Sequence, residues 1–100
     1  MRNDLPVPQQ IVQSCHAALE VAKSLLPADL PHPHLVVCAV AGEPQLFKLT
    51  DRLRRAGVAY RAFHEPDRGG ELTALGTEPV WGERRRLFKR YRCLSHPGFT

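Results

Sequence analysis

Apolar positions in the first quarter of the chain recur at steps of three and four: Ile11, Cys15, Ala18, Ala22 and Leu25. This spacing predicts an amphipathic helix from Pro8 to Leu26 with those residues inward. Pro8 suits a first turn, where its missing N–H would have no partner anyway, and Pro27 stops the pattern. Gln9, Gln13, His16 and Glu20, at steps of four, three and four, line the polar flank. A proline-bound loop, Ala28 to His34, comes next. Then "LVVCAV" (Leu35 to Val40) runs apolar without alternation, as a strand buried on both faces does. Gly42-Glu43-Pro44 is expected to open a second helix that runs through Ala56, with Leu46, Leu49, Leu53 and Ala56 inward and Gly57 as C-cap. "VAYRAFHE" (Val58 to Glu65) and "ELTALGTE" (Glu71 to Glu78) read as strands. The turn-forming "PDRGG" between them makes an antiparallel hairpin. A last helix is expected from Gly82 to Cys93, with Leu87, Phe88, Tyr91 and Leu94 on its buried side.

The order helix, strand, helix, strand, strand, helix defines an α/β fold. The expected form is a small mixed β-sheet of three to four strands with helices on both faces, in three α/β/α layers. In this architecture Val36, Val37, Cys38 and Leu53 should be almost inaccessible to solvent. Residues 1–94 form a single domain and residues 95–100 a C-terminal tail. Met1 to Asn3 reads as the last fragment of a further strand. Met1 is thus expected to be internal to a longer natural protein, or another chain supplies the missing strand.

The 100-residue composition is that of one small globular domain. No apolar run reaches the roughly 20 residues of a membrane helix, and no signal-peptide pattern opens the chain. The expected compartment is the cytoplasm. Cys15, Cys38 and Cys93 form no C-x-x-C pair, so the spacing suggests neither a disulfide framework nor a zinc site. His32 and His34, alternating with prolines, offer too few ligands for a metal. Charge is uneven. Six basic residues between Gly82 and Arg92 oppose Glu83 alone, a local +5 in a chain of net +4. Such a segment is either a solvated face or a phosphate-contacting patch, with Arg84, Arg85 and Lys89 as its RNA-binding candidates.

Two segments together resemble the type-2 peptidyl-tRNA hydrolases. That family's first signature is a strand ending in Arg-x-Asp-Leu, followed by a helix carrying Gln-x-x-His-Ala. Here Arg2, Asp4 and Leu5 precede Gln13, His16, Ala17 and Ala18. The second signature is an acid at a strand end, a glycine loop and a strand with Thr-Val-Leu-Ala-Ile-Gly-Pro. It is matched by Glu65 or Asp67, Gly69 and Gly70, and "TALGTEP" from Thr73 to Pro79. The resemblance covers roughly residues 1–80. It departs at Gln9, where the family carries a catalytic lysine seven positions before the histidine. The arginine-rich ending is not a family hallmark.

The resemblance implies hydrolysis of the ester of peptidyl-tRNA, or of a related aminoacyl or peptidyl ester, with release of tRNA. It implies Thr73, Asp67, Glu65, His16 and Gln9 as the catalytic set and Gln13, Arg2 and Asp4 as substrate-binding residues. It calls for no cofactor and no metal. tRNA is the expected partner, a membrane is not, and a homodimer is compatible with it. A carboxylate at Glu65 or Asp67 would orient or deprotonate water, and Thr73 would hydrogen-bond the substrate. Glutamine at position 9 cannot offer positive charge to an oxyanion. A non-catalytic RNA- or protein-binding module on the same fold is therefore the alternative.

Overall fold

Proline and glycine punctuation sets the helix limits. The computed structural model describes residues 1–31 and 34–94, so His32 and the 95–100 tail lie outside the described residues. Helix α1 (Val7–Ser24) opens with Pro8 in its first turn, and α2 (Glu43–Ala56) opens with Pro44 in the same position. Gly57 closes α2 at φ 71°, its N–H donating to the Arg54 and Leu53 carbonyls. Only glycine takes that left-handed conformation without strain.

Strands β2 (Tyr60–Glu65) and β3 (Glu71–Thr77) form the expected antiparallel hairpin, joined by a 3-10 turn at Pro66–Arg68. The register shifts between Phe63, opposite Ala74, and His64, opposite Leu72. Thr73 is therefore an extra residue in β3, a β-bulge. Strict alternation would put Leu72 and Leu75 on opposite faces. The bulge brings both to the apolar clusters built on Leu46, Leu49 and Leu53 of α2. Thr73 and Gly76 instead face α1: Thr73 hydrogen-bonds Gln13, and Gly76 lies against Ala17 and Val21.

The remaining strands are shorter than expected. β1 spans only Cys38–Ala39 and pairs antiparallel with β4 (Arg92–Cys93). The described residues thus form a mixed α/β arrangement with two small antiparallel two-stranded sheets. The N-terminal residues lie between them. Arg2 N–H donates to Thr73 O, while Asn3 N–H donates to Val40 O and Val40 N–H to Met1 O. Arg2 and Val40 form a parallel bridge. The last helix is also corrected. Gly82–Phe88 is a 3-10 segment, and the chain then turns so that Arg92 and Cys93 pair with β1. Crowding Arg84, Arg85, Arg86, Lys89 and Arg90 on successive turns of an α-helix would set like charges beside one another. Leu87, Phe88 and Tyr91 still pack against the apolar clusters as expected, whereas Leu94 is exposed.

Two burial expectations fail for one reason. Leu53 is inaccessible, but Leu35 and Val36 are exposed, and Val37 and Cys38 are half-buried. In α1 the buried residues are Gln13, Ala17 and Val21, while Ile11 and Cys15 of the expected inward stripe are exposed. Leu35, Val36, Ile11, Cys15 and Ala18 all border a cavity of about 1200 Å³. The hairpin offers α1 polar and aromatic partners. Arg61 donates to Ser24 Oγ, Phe63 stacks on His16, and Glu65 accepts from Gln13. The helix turns Gln13, His16 and Ser24 to them, buries Ala17 and Val21 on the same side, and leaves Ile11, Cys15 and Ala18 facing the cavity.

Candidate active site

The bulge aims Thr73 out of the strand ladder into α1. Its hydroxyl donates to Gln13 Oε1 at 2.8 Å, with a longer contact of 3.4 Å to Phe63 O. Gln13 Nε2 donates to Glu65 Oε2 at 3.2 Å. Thr73 and Gln13 are 0 % and 1 % exposed, whereas Glu65 is half-buried at the strand end. The three side chains form one chain of hydrogen bonds from core to surface. At the surface end is the half-buried carboxylate. Such an arrangement holds a carboxylate oxygen in a fixed direction, as a general base requires.

Beside it Arg2 is buried and fully engaged. Its Nε and Nη2 bond the two oxygens of Asp4 at 2.9 Å each, and Nη1 bonds Glu71 Oε1 at 2.7 Å and Leu72 O at 3.2 Å. Arg68 bonds the same Glu71 oxygen through Nε at 3.3 Å. The hydrogen bond from Arg2 holds the Asp4 and Glu71 carboxyls below the usual carboxylate range, and its bonds to Asp4 and Glu71 raise the guanidinium itself. This cluster ties the N-terminal segment to the start of β3. Glu43, in the first turn of α2, accepts the Leu72 N–H at 2.8 Å and closes the same corner. Glu43 and Glu71 were not legible as participants, because their partners lie far away in sequence.

The other expected residues divide. His16 flanks the carboxylate chain, its ring stacked on Phe63 at 4.4 Å between centroids. Asp67 and Gln9 are exposed, Asp67 on the 3-10 turn and Gln9 on the first turn of α1. Of the two acids left open by the sequence, Glu65 is the one bound to Gln13. The basic residues are not gathered here. Asp4 Oδ2 comes within 3.6 Å of a Cβ built at Gly42, before α2, and Arg84 Nη2 within 3.9 Å of one at Gly57, after it. A 14-residue helix separates them, about 20 Å. Arg84 also contacts Glu78 at 3.8 Å, while Arg85 and Lys89 border the large cavity.

Among the described residues no group of three His, Cys, Asp or Glu side chains could hold a metal ion. No described helix is long and apolar enough to cross a membrane. Compared with known proteins, the chain matches no family model, no curated protein and no solved structure.

Proposed function

We propose that this chain hydrolyses the ester of peptidyl-tRNA, or a related aminoacyl or peptidyl ester, and releases tRNA. The observation that carries the reading is the Thr73–Gln13–Glu65 chain of hydrogen bonds, built on a bulge at the end of the hairpin. Bulges re-aim side chains beside active sites. In this reading Glu65 takes the proton of the attacking water, and Gln13 fixes the carboxylate. Thr73, fully enclosed, positions Gln13 and does not touch the substrate. His16 borders the reacting group, and Arg2 and Asp4 shape the adjoining wall. The Met1–Asn3 segment and the two strand pairs act as one small sheet between helical layers, and the basic segment meets tRNA phosphates farther along the molecule. The peptidyl-tRNA hydrolase resemblance supplies the substrate class.

A second reading, the non-catalytic binding module, is favoured by one observation. Gln9 is exposed where the resemblance calls for a lysine, and Arg2 is already bonded to two carboxylates. Neither position therefore offers the developing oxyanion a free cation.

Labelled N-acyl-aminoacyl-tRNA incubated with the full chain separates the two. The hydrolase reading expects slow release of free tRNA above the uncatalysed rate, and a loss of about 100-fold or more in Glu65→Gln. Gln9→Lys should raise turnover, because a cation near the developing negative charge stabilises it. If the chain binds tRNA but shows no hydrolysis, and Gln9→Lys does not produce any, the binding module is the correct account.

A further inference from the structure

Cys38 and Cys93 face each other directly across the β1–β4 pair. Leu94 N–H donates to Val37 O at 2.6 Å, which makes Val37–Leu94 a hydrogen-bonded rung. The neighbouring Cys38–Cys93 rung is therefore of the non-hydrogen-bonded kind. In such a rung the Cα atoms stand about 4.5 Å apart and both side chains rise on the same face. That separation falls within the range of about 4.4–6.8 Å found for disulfides. The two sulfurs also sense each other: after burial, Cys93 is the next cause that pushes the Cys38 thiol up. Both residues line the cavity of about 1200 Å³, which gives a small reagent access to them. The structure holds both as thiols.

We propose that Cys38 and Cys93 form a dithiol site for reversible oxidation by a low-molecular-weight disulfide. One thiol loses its proton to solvent, and its sulfur attacks a sulfur of the small disulfide, expelling one small thiolate. The second cysteine, likewise deprotonated, attacks the protein sulfur of this mixed disulfide and expels the other small thiolate. Two protein thiols are oxidised to one disulfide, and one small disulfide is reduced to two thiols. The new bond closes a loop of more than half the chain and ties β4, with the basic segment before it, to the strand beside Met1 and Arg2. Closing so long a loop restricts the unfolded chain and stabilises the folded one.

The full chain is incubated with oxidised glutathione under native conditions, blocked by alkylation and digested with trypsin without reduction. The expected product is the peptide of residues 24–48 joined to that of residues 93–100 within one chain. The crosslink persists in Cys15→Ser and is lost in Cys93→Ser. The oxidised protein melts roughly 10 °C higher than the reduced one, and dithiothreitol reverses the shift. The proposal is overturned if glutathione is found only on the exposed Cys15 while Cys38 and Cys93 are both alkylated. It is equally overturned if the 38–93 crosslink forms only after unfolding in urea.

Discussion

Arg2 holds its guanidinium 7 % exposed between Asp4 and Glu71, and this makes part of the stability depend on pH. Both carboxyls bind their protons more weakly in the folded state, because Arg2 holds them below the usual range. Their contribution is complete above the unfolded-state value, about pH 4, and is lost as pH falls through the lower folded-state values. Arg2→Met should lower the melting temperature near neutral pH by roughly 5 °C, solvent screening at the two part-exposed carboxylates limiting the effect, and the gap to wild type should narrow as both proteins are acidified. Thermal melts across the acid range check this; a gap independent of pH would make Arg2 a packing residue only. Thr73 tests the neighbouring bond. Thr73→Val leaves the buried Gln13 oxygen without its donor and should cost about 1–3 kcal/mol in urea unfolding. Thr73→Ser keeps the hydroxyl and should retain that bond and, in the proposed hydrolase reading, most turnover. Residue identities at this corner, Arg2, Asp4, Gln13, Glu65 and Thr73, were legible. Their pairings were not, since Arg2 and Glu71 are separated by 69 positions.

Between elements, α1 depends on a close approach to β3. A Cβ added at Gly76 would stand 2.5 Å from Val21 Cγ2 and 3.2 Å from Ala17 O. Gly76→Ala should therefore force the helix outward and destabilise by about 1–3 kcal/mol. Val21→Ala removes the nearer obstacle, so the double variant should lose less than the sum of the single losses. Chemical denaturation of the three variants measures this coupling, and strict additivity would show that Gly76 does not set the helix–strand distance. The extent of α1 was legible from its periodicity and prolines, but its buried face was not. Periodicity finds the most apolar stripe, whereas this helix buries the stripe whose Gln13, His16 and Ser24 find partners on β2 and β3.

Across the whole molecule, the basic segment and the carboxylate chain lie toward opposite ends of α2. In the proposed hydrolase reading, a ligand that engages both must span the length of α2, about 20 Å, and carry its phosphates toward the basic end. Affinity for tRNA should fall steeply with added salt, each phosphate contact contributing close to one unit of slope in the log–log plot. Charge reversal at Arg84, Arg85 and Lys89 should flatten that slope and weaken binding, while leaving cleavage at saturating substrate largely intact. A titration series in potassium chloride reads both. An unchanged slope would assign the segment to a merely solvated face.

Local physics was enough to read α1, α2 and the hairpin with its turn. A helical period, a proline in a first turn, a left-handed glycine and a short turn each act within a few residues. The bulge at Thr73, the face that α1 buries, the return of the arginine-rich segment as β4 and the meeting of Cys38 with Cys93 all depended on the tertiary structure. Each of these is decided by which distant backbone or side chain completes a hydrogen bond or fills a gap. A residue's own neighbours in the chain carry no record of that partner.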